Sequence, residues 1–234
     1  MEEILTTGMA ELGVALRPGA LEQFRKFYEY MVKKNKVMNL TGITAEDESA
    51  RLHFLDCVAL LAAEDFAGKT VIDVGTGAGF PGVPLKIAEP SMDITLLDSL
   101  AKRINFLDEV IAMLGMDGVR TALGRAEEAP ADFREHFDIA TARAVTRMDA
   151  LAELCLPLVK KGGAFVAMKG PGAADELKEA EKAIKVLGGK VEKVCPYTIP
   201  GTDVTHTAVV IRKVATTPKQ YPRSWGKIKK SPIK

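Results

Sequence analysis

The stretch Val71-Ile-Asp-Val-Gly-Thr-Gly-Ala-Gly-Phe-Pro-Gly82 limits the possible folds more than any other part of the chain. A short β-prone apolar run passes directly into glycines at 75, 77, 79 and 82. Glycine tolerates positive φ and has no side chain, so the backbone can turn sharply and a ligand can approach it. Pro81 suits the first position of a following helix. Strand, glycine loop and helix in that order belong to open α/β sheets, whose ligands sit beyond the carboxyl ends of the strands. The bland alternative is a plain tight turn.

The remainder of the chain supports the ligand reading. After Lys69, β-rich runs alternate with helical patterns, which implies a mostly parallel sheet covered on both faces. Strands are expected at Val71–Val74, Ile94–Leu97, Val119–Leu123, Phe137–Ala142, Ala164–Met168, Val191–Ile199 and Thr207–Lys213. Helices are expected near Pro81–Ala88, Ala101–Leu114, Met148–Val159 and Ala173–Leu187. Gly201-Thr-Asp is too short to hold a helix, so the last two strands should form an antiparallel hairpin at the sheet edge. Before the sheet, Phe24, Phe27, Met31 and their neighbours recur at helical spacing, and Thr44 is placed to cap a further helix. The expected architecture is therefore α/β: a Rossmann-like methyltransferase fold with a seven-stranded, mostly parallel sheet, a terminal antiparallel hairpin and an N-terminal helical segment. Its parts are a helical segment at 1–50, a methyltransferase domain at 51–214 and a basic tail at 215–234.

Gly77, Gly79 and Gly82 fit the dinucleotide pattern GxGxxG, a weak signal alone. Asp73, two residues before Gly75, favours S-adenosylmethionine instead: a carboxylate there would attract a cationic amino group and repel a pyrophosphate. Asp98 ends the second strand, where an acid accepts hydrogen bonds from ribose hydroxyls; the alternative is a cap on the helix that starts near Ala101. Gly124-Arg-Ala-Glu-Glu128 follows the third strand, with Ala126 and Glu127 placed to meet an adenine; an exposed helix start is the alternative. The fourth strand ends in Arg143, able to touch a carboxylate or phosphate. It lacks the Asn/Asp-Pro-Pro-Tyr element of amino-group methylases and any Pro-Cys or Thr-Cys nucleophile.

Cys57, Cys155 and Cys195 are scattered and unpaired by spacing, and with His53, His136 and His206 they make no zinc pattern, so no metal is expected. No apolar run approaches the length of a membrane span, and Met1-Glu-Glu is not a secretory start, which points to a cytoplasmic protein. Net charge is only +1, yet Arg212–Lys234 holds eight Lys or Arg residues and no acid. Such a run is either a solvated tail or an anion-binding one.

In order along the chain, Asn39-Leu-Thr, His53-Phe-Leu-Asp56, Asp73-Val-Gly-Thr-Gly-Ala-Gly-Phe-Pro-Gly, Gly124-Arg-Ala-Glu-Glu, Thr141-Ala-Arg143-Ala-Val, Met168-Lys-Gly170 and Tyr221-Pro-Arg223 resemble the motifs of the small-subunit (16S) ribosomal RNA methyltransferase G family, also called glucose-inhibited division protein B. The resemblance implies transfer of a methyl group from S-adenosylmethionine to N7 of a guanine in 16S ribosomal RNA. It implies a monomer that meets its RNA within a 30S subunit or its precursor. Cofactor contacts are then implied at Gly75, Phe80, Ala126, Glu127 and Arg143, beside Asp73, Gly77, Gly79 and Asp98. Substrate-side candidates are Asn39, His53, Asp56, Arg143 and Lys169, with Asp56 able to steady the cationic product. Lys219, Tyr221, Arg223, Lys227, Lys229 and Lys230 would bind RNA, with Tyr221 and Trp225 able to stack on bases. Cys57 stands where the family more often has serine, and Trp225 and Ile228 interrupt a tail that usually has more proline.

Overall fold

The computed structural model describes residues 1–233. Two helices lead, α1 (Glu2–Glu11) and α2 (Ala20–Met38). Phe24, Phe27 and Met31 fall on one stripe of α2 and are wholly buried, as their spacing requires. Asn39 closes α2 in the left-handed region, its N–H returning to the Asn35 carbonyl. A broken helical run follows: α3 (Glu46–Glu48), a π-helical stretch at Ser49–Leu55, α4 (Asp56–Val58) and a 3₁₀ turn at Ala59–Ala62. Ala45 occupies the cap position of α3 with no side-chain cap bond, so Thr44 does not cap it. The π-helical stretch carries His53 and delivers it, with Asp56 one turn on, to the sheet.

The sheet consists of β1 (Thr70–Val74), β2 (Asp93–Asp98), β3 (Val119–Leu123), β4 (Phe137–Arg143), β5 (Val159–Lys169), β6 (Gly189–Thr198) and β7 (Thr205–Lys213), in the order β3-β2-β1-β4-β5-β7-β6. The first five strands run parallel, and β7 inserts antiparallel between β5 and β6. Helices α5 (Gly82–Ala88), α6 (Ala101–Leu114), α7 (Met148–Cys155) and α8 (Ala173–Val186) form the crossovers, and a short α9 (Trp225–Lys230) ends the chain.

Side chains alternate between two apolar layers. Val71, Ile139 and Val166 join α1, α2, α5 and α6 on one face. Ile72, Ala140 and Phe165 join α7, α8 and α9 on the other. The N-terminal helices extend the first layer through the Phe24, Phe27, Phe54 and Phe80 rings.

Some boundaries differ from the sequence expectation. Pro81 precedes α5 as its cap, and the helix expected at Met148–Val159 stops at Cys155, with a 3₁₀ turn at Leu156–Leu158 before β5 begins at Val159. β5 is longer than its apolar stretch because Lys160-Lys-Gly-Gly163 passes along β4 at a bulge, where a Cβ on Gly163 would lie 2.3 Å from the Asp138 carbonyl. No helix among the described residues is long and apolar enough to cross a membrane.

Candidate active site

The glycine loop leaves the carboxyl end of β1 and is tied to β2, with Gly75 and Thr76 N–H both donating to the Leu97 carbonyl at 2.8 and 3.0 Å. Gly75, Gly77 and Gly79 all have positive φ. A Cβ at Gly75 would come within 2.9 Å of Val145, and one at Gly77 would meet almost nothing. The loop is thus closely packed on one side and open on the other.

Asp73 lies under this loop, fully buried. Its Oδ2 accepts from the Thr76 hydroxyl at 2.6 Å and from Gly82 N–H at 2.8 Å, which pins both ends of the turn. Its Oδ1 has no partner. Burial raises its pKa to about 6, against the pull of those two hydrogen bonds. Asp73 thus anchors the loop and keeps one acceptor oxygen to spare. Asp98 is tied to the protein through both of its oxygens. Its Oδ2 accepts from Gly77 N–H at 3.0 Å and from Arg103 at 3.1 Å, while Oδ1 accepts Leu100 N–H at the entrance to α6.

A cleft of about 220 Å³ opens at these strand ends, lined by Gly75, Asp98, Ala126, Glu127, Val145 and Trp225 among others. Glu127 has a nearly buried side chain, and its Oε1, 3.8 Å from the Arg125 guanidinium, likewise has no hydrogen-bond partner. A glycine crease beside two unsatisfied carboxylate oxygens suits a ligand rich in N–H and O–H donors. A larger hollow of about 420 Å³ opens at the opposite strand ends, but there Thr70 is already bonded to Asp138 and Arg120 to Thr95.

A second group gathers where β4 ends, beneath Phe80. Arg143 lies over the Phe80 ring, 4.6 Å from its centroid, and His53 stacks on the same ring at 4.4 Å. Arg143 approaches His53 Nδ1 at 3.3 Å, the Leu52 carbonyl at 3.3 Å and Asp56 at 3.6 Å. With Nδ1 facing a guanidinium, the His53 proton belongs on Nε2, donating to Thr41 Oγ1 at 2.8 Å. Burial and then Arg143 hold the His53 pKa down at about 4, so the ring is neutral. Asp56 is buried, and its Oδ1 accepts from Tyr197 at 2.8 Å and pairs with His206 Nδ1 at 2.8 Å. That hydrogen bond raises the pKa of His206, which remains partly exposed, and burial pushes the Tyr197 hydroxyl far above its usual range. Asp56 is therefore engaged inside the protein by Tyr197, His206 and Arg143.

Thr41, Tyr197 and His206 were not expected in this group. Their partners lie 12, 141 and 150 residues away in sequence, and no local pattern marks such pairs. Asn39 is exposed, and its role visible here is to turn the chain after α2. Lys169 is directed to Glu176 at 2.6 Å and to the Thr146 carbonyl at 3.1 Å. It thus braces the loop that carries Val145.

The tail folds back on the sheet instead of projecting. Arg134 donates to the Tyr221 and Thr217 carbonyls at 2.7 Å each. Arg223 forks onto the buried Glu153 of α7 at 2.8 and 2.6 Å, and Tyr221 packs against the same apolar layer. The expectation of Arg223 and Tyr221 as free RNA contacts meets an ion pair and a packed ring. Lys219, Lys227, Lys229 and Lys230 are exposed, while Ile228 is wholly buried and Trp225 lines the cleft.

The sheet order, the terminal hairpin and the ligand cleft at the carboxyl ends of β1 to β3 define a Rossmann-like methyltransferase. Solved structures agree on the fold. TrmN from Thermus thermophilus superposes with a TM-score of 0.54 at 22% identity, covering 68% of this chain and 48% of that one. The antibiotic-resistance methyltransferase Kmr gives 0.52 at 16% identity, covering 69% and 94%. The GidB family profile, described as rRNA small subunit methyltransferase G, matches residues 20–200. Proteins named Ribosomal RNA small subunit methyltransferase G are 48% identical in Lachnoclostridium phytofermentans, over 97% of this chain and 95% of theirs, and 49% identical in Lactobacillus johnsonii, over 99% of both. The chain belongs to the GidB family of ribosomal RNA methyltransferases.

Proposed function

We propose that the protein binds S-adenosylmethionine in the glycine-lined cleft and methylates N7 of a guanine in 16S ribosomal RNA. The observation that carries this reading is the pair of buried carboxylate oxygens without a hydrogen-bond partner, Asp73 Oδ1 and Glu127 Oε1, by the turn of Gly75, Gly77 and Gly79. Asp98, Ala126 and Glu127 would hold the nucleoside, and the loop above Asp73 the methionine portion. The names of the relatives supply the RNA class, and the exposed Lys219, Lys227, Lys229 and Lys230 suit its phosphates.

When bound, S-adenosylmethionine supplies an electrophilic methyl group on a sulfonium. Guanine N7 carries an in-plane lone pair and no proton in the neutral base, so the site needs no general base. It needs alignment and exclusion of water. The Phe80 group provides such a surface: a neutral His53 and an Arg143 fixed from three sides. Asp56 holds Tyr197, His206 and Arg143 in register there, one shell behind the reacting atoms. In this reading residues 1–50 wall the site, 51–214 form the catalytic domain and 215–234 face the RNA. The protein acts as a monomer, in the cytoplasm, on the 30S subunit or its precursor.

The test is methyl transfer from labelled S-adenosylmethionine to 30S particles and to free 16S RNA. Label should appear in RNA, and substitution of Gly75 by Val should abolish it. Cofactor binding without any transfer to either RNA would remove the substrate assignment.

A further inference from the structure

Trp225 belongs to the basic tail, yet it forms part of the wall of the glycine-lined cleft together with Leu154, Ala126 and Glu127. Three sets of contacts hold it there. Arg223, two residues earlier, is clamped to Glu153, which neighbours Leu154 on α7. Ile228, three residues later, is wholly buried in the same apolar layer as Ala126 and Leu154. Upstream, Arg134 holds the Thr217 and Tyr221 carbonyls, and the Thr217 hydroxyl reaches the Leu187 carbonyl at 2.7 Å. An indole held on both sides and facing a cleft is a preformed stacking surface.

We infer that Trp225 is a cofactor-binding residue, an aromatic wall against which the adenosine moiety rests, so that the C-terminal helix closes the cleft as well as facing RNA. This rests on the reading of the cleft as an S-adenosylmethionine site. The exposed Lys227, Lys229 and Lys230 lie on the same short helix. A nucleic acid that orders this helix therefore also orders a wall of the cofactor site, and by linkage cofactor and RNA should each tighten the binding of the other.

The chain has one tryptophan, so its fluorescence reports this contact directly. Titrating the full-length protein with S-adenosylhomocysteine should change the indole emission saturably, with the same midpoint as calorimetry. Trp225→Ala should weaken binding about tenfold, equivalent to about 1.4 kcal/mol, and Trp225→Phe should recover most of it. Calorimetric binding by the wild type with unchanged emission, or with unaltered affinity in Trp225→Ala, would overturn the inference and leave the cofactor site intact. No binding by the folded wild type would instead overturn the cofactor reading itself. The wild-type emission change and the Phe variant decide the matter even if the Ala variant does not fold.

Discussion

At the scale of single residues, the site depends on charged and polar groups held in unusual states. His53 lies between Phe80 and Arg143 with its pKa lowered to about 4. A histidine that must be neutral when folded takes up protons more readily when unfolded, so its contribution is present above pH 6.5 and is lost as pH falls toward 4. The full loss is at most about 3 kcal/mol. Asp73 has the opposite sign. Its pKa is raised to about 6, so its contribution is complete below pH 3.8 and is lost as pH rises through 6. Urea unfolding of His53→Gln across pH 4 to 7 should show a stability that, relative to wild type, improves as pH falls, and NMR should place the His53 midpoint near 4. A midpoint near 6.5 would contradict the buried, neutral ring. Asp73 also predicts that a cationic cofactor binds more weakly below about pH 6, where its carboxylate is protonated; calorimetry across that range checks this, and a flat profile would show that Asp73 only shapes the loop. Asp73 was legible in the sequence because it leads into the glycine turn, and Asp98 because it ends the second strand. The grip of Asp56 on Tyr197 and His206 was not, because it is made by strands that meet only after the hairpin inserts into the sheet.

At the scale of elements, the glycine loop and its flanking strands were readable because their period and turn residues agree. Of the tail, the charge was visible in the sequence and the anchors were not. Arg223 meets Glu153 across 70 residues, and a run of basic residues gives no sign that one of them turns inward. Glu153 is almost wholly buried, so Arg223→Ala should leave an unpaired buried carboxylate and cost about 3 kcal/mol or more, whereas replacing both by Leu should cost less. Equal losses in the single and double variants, measured by chemical denaturation, would show that the pair does not act as a unit. The lysines of α9 predict a different phenotype. Changing Lys227, Lys229 and Lys230 together to Ala should leave the fold intact and flatten the dependence of log K for RNA on log salt by up to about two units, at roughly 0.7 per phosphate contact on a single strand. An unchanged slope would move the RNA surface elsewhere.

At the scale of the whole molecule, the sheet presents all its ligand chemistry at one end. β1 to β3 form the glycine-lined cleft, β4 supplies Arg143, and the β6–β7 hairpin contributes Tyr197 and His206 from the far edge. The N-terminal helices share an apolar layer with β1, β4 and β5 and close the His53 side, while the tail shares the opposite layer and closes the Trp225 side. Alternation of strands and helices showed the sheet, but which face each terminal segment covers is decided by long-range packing that periodicity does not encode. The proposed transfer to a ring nitrogen without a general base has one direct chemical consequence, namely the atom that is modified. 30S particles methylated by the protein with labelled S-adenosylmethionine should therefore be digested to nucleosides and resolved by mass spectrometry. The account predicts a single labelled product, 7-methylguanosine from 16S RNA. Label in an exocyclic amine, a ribose 2′-oxygen or a pyrimidine carbon would contradict it.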